Sequence, residues 1–149
     1  MIDPTSPVSV TELTQDEKAY AGLAHALMMG TWWIGPLVIY LSKKESRFVA
    51  FHALQALLWQ IIFTALYFAA MMTWIVAIIS TVALHPQTSP ANQQFPVALF
   101  IVFPIFWLFI MGGLAITFTL AIMFCLKAMR GEWAGYPVIG QWARRIVGF

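Results

Sequence analysis

The chain has 149 residues, of which 61% are hydrophobic and 9% are charged, and its formal net charge is +2. This balance excludes an ordinary soluble domain, where about a quarter of residues are charged, and so small a charge gives no sign of a nucleic-acid partner. No Lys, Arg, Asp or Glu occurs between Phe48 and Leu126, a stretch too long for a soluble core. The sequence therefore predicts an all-α integral membrane protein, with residues 14–149 as a single membrane domain.

The N-terminal part predicts a flexible arm over 1–13 followed by a first helix. The arm carries two prolines among polar residues and can bury little apolar surface. Thr14 to Glu17 has the Ser/Thr-x-x-Glu form of a capping box, so a helix is expected to begin there. The uncharged run 19–42 is long enough to cross the ~30 Å hydrocarbon layer as a first span, with a kink at Gly35-Pro36.

Two longer apolar runs predict a second span over 50–84 and a third over 96–126. The segment between them, 85–94, contains two prolines and many turn-forming residues, so it predicts an exposed loop. Pro104 lies within the third run, but either half alone would be too short to span. One bent helix is therefore expected there.

Basic residues predict the orientation of these spans, because Lys and Arg near span ends mark the cytoplasmic side. A first loop and a C-terminal tail carry the basic anchors, which predicts three spans in a bacterial inner membrane with the N-terminus outside and the C-terminus cytoplasmic. Four spans remain the alternative, although they would place the basic loop or the tail outside. The anchors are Lys43, Lys44, Arg47, Lys127, Arg130, Arg144 and Arg145.

The tail over 138–147 alternates apolar residues with Gln141, Arg144 and Arg145. This pattern predicts a short helix that lies on the inner membrane interface. Its basic residues could also attract anionic lipid headgroups, although the orientation of the spans is sufficient to explain them.

Gly22, Ala26 and Gly30 recur every fourth residue in the first run and predict a helix-packing face, because small residues allow close approach of another backbone. The neighbour could be another span of this chain or another membrane subunit. The sequence leaves both open.

A polar seam is predicted along the second span. His52, Gln55 and Gln60 are costly in lipid unless they find partners, so hydrogen bonding to another helix, with the backbone freed by Pro36 as the expected partner, is favoured over a transport path. The three histidines are predicted at different depths, so no metal site is expected. His25 is a candidate ligand of a chlorophyll-type pigment or haem, but a hydrogen bond to a neighbour is the favoured interpretation, and no cofactor is expected.

Three segments resemble the small bacterial membrane proteins related to the twenty-kilodalton Tic component of the chloroplast inner-envelope protein import translocon. The resemblance implies an all-helical membrane protein and, for the chloroplast relatives, protein translocation; it implies no activity for the bacterial members. The matching segments are Leu23-Ala24-His25 leading to Gly35-Pro36-Leu37, residues 43–57 (KKESRFVAFHALQAL), and residues 127–132 (KAMRGE) before Tyr136-Pro137.

Taken together, these patterns predict a non-enzymatic membrane subunit that contacts lipids and docks with other membrane subunits. A translocation or transport component, in which the polar seam lines a path, is the first alternative. A pigment- or haem-binding subunit is the second.

Overall fold

The computed structural model describes residues 12–84 and 97–148, and every regular element in these ranges is an α-helix. The predicted all-helical class is confirmed. The predicted arm and the predicted exposed loop fall almost entirely outside the described residues. The helices are α1 (Gln15–Gly30), α2 (Ile34–Ser42), α3 (Arg47–Leu84), α4 (Val97–Met129) and α5 (Ile139–Val147).

Helices α1 and α2 form a hairpin. α1 lies parallel to the first half of α3, so that Trp32, just beyond the end of α1, donates from Nε1 to Thr64 Oγ1 at 2.6 Å. α2 then returns, and Lys43 at its end lies 4.6 Å from the centre of the Tyr20 ring near the start of α1. The two outer ends of the hairpin therefore lie at the same end of the bundle.

The chain reverses at Thr31–Trp33 for local reasons. Trp32 has a φ of 59°, a left-handed conformation that a continuing α-helix does not contain. Gly35 allows the two arms to meet, because a Cβ there would lie 2.6 Å from Leu27 Cβ. Pro36 lies in the first turn of α2, where a missing N–H leaves no intrahelical bond unmade. Gly35-Pro36 thus begins a helix and does not kink one.

The outer ends of the hairpin are joined by Glu17. Its carboxylate accepts from the backbone N–H and hydroxyl of Thr14, whose own Oγ1 accepts from the Glu17 N–H, so the predicted capping box is confirmed. Ser46 Oγ also donates to Glu17 Oε1 at 2.7 Å. The Ser46 bond, followed by the Thr14 backbone bond, lowers the pKa of Glu17. The ionised carboxylate therefore holds the start of α1 beside the start of α3.

The hairpin corrects the predicted first span. The run over 19–42 forms two helices of 16 and 9 residues, and neither reaches the length of about 20 residues that crosses a bilayer. Two helical segments of the described chain are long and apolar enough to span, Arg47–Ala83 and Phe100–Met129. Three spans are therefore not confirmed. The run that was predicted as the first span forms the α1–α2 hairpin instead.

Helices α3 and α4 run antiparallel. Trp59 Nε1 donates to Thr117 Oγ1 at 3.1 Å, and further along the Trp74 and Phe106 rings stack at 5.1 Å between centroids. The first third of α3 is buried by α1, α2, α4 and α5, whereas the later part exposes large apolar side chains. The bundle is thus compact at one end and a two-helix hairpin at the other.

All eight basic residues of the chain belong to segments at the compact end, where α1 and α3 begin and α4 ends. The last turn of α3 and the first turn of α4 lie at the opposite end, and residues 85–96, which come between them in the sequence, include no charged residue. Five of the six carboxylates fall at the compact end as well, and the sixth, Asp3, lies outside the described residues. The basic residues are Lys18, Lys43, Lys44, Arg47, Lys127, Arg130, Arg144 and Arg145.

A pair of matched substitutions on α1 tests this packing. At Gly22 a Cβ would lie 2.7 Å from Met129 Cγ on α4, whereas at Gly30 nothing lies within 4 Å. Gly22→Leu is expected to lower the free energy of unfolding by about 1–3 kcal/mol through overpacking, measured by thermal or denaturant unfolding in detergent.

Gly30→Leu, the control, changes the same residue type on the same helix and is expected to be tolerated. Equal losses at both positions would contradict the close approach of α1 and α4.

Candidate functional site

The buried polar groups converge at the compact end of the bundle. His52 and Gln55 of α3 are completely buried, and Gln60 is 3% exposed. The structure brings the first two together with His25 from α1 and Tyr136 from the segment between α4 and α5, which are 0% and 2% exposed. His52 and Gln55 of the predicted polar seam therefore lie in one buried cluster, which a residue from α1 and one from the α4–α5 connection complete.

A chain of hydrogen bonds links three separate parts of the molecule. The Tyr136 hydroxyl lies 3.0 Å from His25 Nδ1, His25 Nε2 lies 3.1 Å from His52 Nδ1, and His52 Nε2 lies 3.1 Å from the carbonyl oxygen of Glu132. The bonds tie α1 to α3, and α3 to the residues that follow α4. The two histidines that were predicted at different depths are therefore in contact, because α1 lies beside the start of α3 and does not cross to the other side.

The donor and acceptor in each of these hydrogen bonds follow from the last acceptor, the carbonyl oxygen of Glu132. A carbonyl oxygen only accepts, so His52 Nε2 carries the hydrogen, and in a neutral ring His52 Nδ1 accepts. His25 Nε2 must then donate to it, which leaves His25 Nδ1 to accept from the Tyr136 hydroxyl. Both histidines are thus neutral Nε2–H tautomers, and every ring nitrogen has a partner.

Burial favours this neutral state. Taking an ionised group out of water is costly unless an opposite charge accompanies it. Burial, followed by the proximity of His52, lowers the pKa of His25 well below its usual range, and burial raises the pKa of the Tyr136 hydroxyl. The site therefore holds a neutral imidazole and a neutral phenol.

Gln55 clamps the connection between α4 and α5. Its Oε1 accepts from the backbone N–H of Tyr136 at 2.7 Å, and its Nε2 donates to the carbonyl of Ala134 at 3.4 Å. The predicted partner for this seam was the backbone near Pro36, but His52 and Gln55 bond instead to the backbone of residues 132–136. The reason is the hairpin, which turns Pro36 into an ordinary first-turn residue with no freed carbonyl to satisfy.

Gln60 holds the far end of α1. Its Nε2 donates to the carbonyl of Met28 at 2.7 Å, one of the last carbonyls of the helix, which have no intrahelical partner. Gln60, the third residue of the predicted seam, thus gives a hydrogen-bond partner to a carbonyl at the end of α1. This bond is separate from the chain of hydrogen bonds through the two histidines.

Aromatic rings enclose the hydrogen-bonded chain. Phe124 packs edge-on against Tyr136 at 4.2 Å between centroids, and Trp59 approaches the same ring at 5.7 Å. Phe48 packs against His52 at 4.7 Å. Enclosure of this kind excludes water, which strengthens each internal hydrogen bond.

The other predicted site residues divide between buried and exposed positions. Gly22 is buried against α4, Ala26 is partly buried, and Gly30 is exposed. The basic anchors lie at the compact end, and Arg144 donates to the carbonyl of Trp133 at 3.4 Å. Sequence reasoning from single residues missed Tyr136, because one tyrosine in a polar connection carries no periodic signal.

The chain matches a family model over residues 16–143, a range that includes all but the first residue of α1, the whole of α2, α3 and α4, and the polar site. The model is that of the magnetosome magnetite crystal formation protein family, also described as MamF/MmsF. The chain belongs to this family. Comparisons with curated proteins and with solved structures found no match.

The family match corrects the resemblance to the Tic-related membrane proteins. That resemblance depended on short segments, and the matched model covers most of the chain. Proteins of the magnetosome family are membrane proteins involved in magnetite crystal formation, so membrane localisation and a helical membrane subunit agree with the family.

Removing the Gln55 clamp tests the site. Gln55→Leu leaves the buried N–H of Tyr136 and the carbonyl of Ala134 without their partner, which is expected to lower the free energy of unfolding by about 1–3 kcal/mol. Unfolding in detergent measures the loss, and limited proteolysis between α4 and α5 should accelerate.

Thr73→Val is the matched control, because it also removes a polar group from α3 but at an exposed position where Thr73 bonds only to its own helix. An effect of Gln55→Leu no larger than that of Thr73→Val would contradict the clamp.

Proposed function

We propose that the chain is a non-enzymatic membrane subunit in magnetite crystal formation, anchored by α3 and α4, with the charged side chains of residues 12–148 on the cytoplasmic side. The observation that carries the proposal is the position of all eight basic residues at the compact end of the bundle. Residues 85–96, which come between α3 and α4 in the sequence, include no charged residue. Basic residues near span ends mark the cytoplasmic side.

This orientation replaces the predicted one at the N-terminus. Three spans placed the start of α1 outside and left Lys18 on the side without other basic residues. With a hairpin in place of the first span, the start of α1, the α2–α3 turn and α5 share one side. Both ends of the described chain are then cytoplasmic.

The buried polar groups support a structural role. His25 uses both ring nitrogens in hydrogen bonds and is completely buried, which argues against a pigment or haem ligand at this position. His52, Gln55 and Gln60 are bonded to the protein itself, which argues against a seam that lines a transport path. The groups that could do chemistry hold the fold together.

The distribution of carboxylates supports a role through other subunits. Carboxylate oxygens are common protein ligands for metal ions, and Glu12, Asp16, Glu17, Glu45 and Glu132 all lie at the compact end. In the proposed orientation the opposite side carries none from residues 12–148. The chain would therefore contribute to crystal formation by docking with other membrane subunits.

Single cysteines test the orientation. In a Cys125→Ala background, Thr14→Cys and Gly148→Cys are expected to be protected from a membrane-impermeant maleimide in intact cells, and Ser89→Cys is expected to react. After the membrane is permeabilised, all three should react.

The hairpin would be contradicted if Thr14→Cys and Gly148→Cys reacted from opposite sides. Protection of Ser89→Cys together with reaction of both other cysteines would keep the hairpin but reverse the orientation.

Blue-native electrophoresis in mild detergent tests the subunit role. The chain is expected to migrate in an assembly larger than its own monomer with detergent, and to fall to the monomer size when the detergent is harsh. A monomer under both conditions would contradict the subunit role.

A further inference from the structure

Helix α5 presents three different faces, each at helical spacing. The first, formed by Ile139, Gly140 and Ala143, is buried against α3. The second is apolar yet exposed: Val138, Trp142 and Ile146 are 61%, 47% and 60% exposed. The third is polar and includes Gln141, Arg144 and Arg145.

An exposed apolar stripe beside a basic face is the pattern of a helix that lies in the membrane interface. Trp142 supports this position, because tryptophan is enriched at the level of the lipid headgroups. Since the buried face already holds α5 on α3, the exposed stripe remains available for lipid.

Charge distinguishes this part of the compact end from the rest. Around the start of α1 and the α2–α3 turn, four basic residues, Lys18, Lys43, Lys44 and Arg47, accompany four carboxylates, Glu12, Asp16, Glu17 and Glu45. From the end of α4 through α5, four basic residues accompany a single carboxylate, Glu132. The basic residues on this second side are Lys127, Arg130, Arg144 and Arg145.

We infer that α5 and the end of α4 form a docking surface for anionic phospholipid headgroups of the cytoplasmic leaflet. The inference rests on the proposed orientation. Arg145 is exposed beside the apolar stripe, so its guanidinium can reach a headgroup phosphate while Trp142 and Ile146 enter the acyl boundary. Arg144 donates to the Trp133 carbonyl, and this bond holds its guanidinium on the polar face of α5.

A bilayer fits this surface better than a soluble anion does. A phosphate ion would need only the basic groups, whereas the exposed stripe of Val138, Trp142 and Ile146 requires an apolar environment next to them. The two features lie side by side on one helix. A phospholipid matches both features, because its anionic headgroup can bind the basic residues while its acyl chains contact the apolar stripe.

Lipid exchange into nanodiscs tests the inference. Full-length protein is reconstituted in phosphatidylcholine with a titrated fraction of phosphatidylglycerol, and the lipid retained after transfer to detergent is measured by mass spectrometry. Arg144→Gln with Arg145→Gln is expected to lower the preference for phosphatidylglycerol by about 5- to 30-fold, since each basic residue near the surface contributes about 1 kcal/mol.

The matched control is Lys43→Gln with Lys44→Gln, which removes the same charge from the balanced side and is expected to leave the preference nearly unchanged. Arg144→Lys with Arg145→Lys should retain most of it, which separates loss of charge from loss of fold. An equal loss in the control pair would overturn the inference in favour of general attraction by the whole charged end.

A last comparison replaces phosphatidylglycerol with inorganic phosphate. If millimolar phosphate raised the thermal stability of the detergent-solubilised protein as much as phosphatidylglycerol does, the surface would be a free-anion site and the inference would fail. The maleimide labelling of the termini is independent of this experiment, so an orientation error and an absent lipid preference can be told apart.

Discussion

The structure depends on a hydrogen-bonded pair of neutral histidines inside an apolar bundle. His25 and His52 meet at 3.1 Å, and their outer nitrogens bind Tyr136 and the Glu132 carbonyl. A buried polar group without a partner is destabilising, so each member of the chain requires the others. That requirement holds α1, the start of α3 and the α4–α5 connection in one arrangement.

The hairpin and the chain of hydrogen bonds through the two histidines depend on each other. Because the chain turns back from α1 into α2 and α1 runs parallel to the first half of α3, His25 lies beside His52 near the start of α3. The connection after α4 can then reach the same place from the other side, through Tyr136. A single continuous span would separate these groups along the membrane normal and leave each in need of another partner.

The sequence predicted the helical class, two long apolar helices and the polar residues of α3, because these depend on local composition and on the cost of polarity in lipid. It did not predict the reversal at Trp32, since an apolar run of 24 residues looks the same whether it crosses or turns back. Gly35-Pro36 carries two meanings, a kink within a helix or the first turn of a new one, and only the packing of Gly35 on Leu27 decides between them.

The sequence predicted only part of the site. The other part was missed because it too depends on contacts between segments that are distant in the sequence. His52, Gln55 and Gln60 were recognisable as polar residues in an apolar run, but their partners are mainly backbone groups of a connection that is distant in sequence. A hydrogen bond to a backbone N–H or carbonyl does not depend on the side chain of that residue, so its sequence gives no sign of the bond. Lys18 was a misplaced charge in three spans and becomes consistent once α1 begins on the same side as the other basic residues.

The tautomers of the two buried histidines test the central claim most directly. In protein labelled with ¹⁵N-histidine, with His85→Gln simplifying assignment, long-range ¹H–¹⁵N correlation spectra at neutral pH are expected to show the neutral Nε2–H form for both His25 and His52. Tyr136→Phe should leave both tautomers unchanged, because the Glu132 carbonyl sets the tautomer of His52 and His52 Nδ1 sets that of His25, whereas His52→Phe should release the tautomer of His25. A hydrogen on Nδ1 of His52, or rapid exchange of both rings between tautomers, would contradict the directed chain from Tyr136 to Glu132.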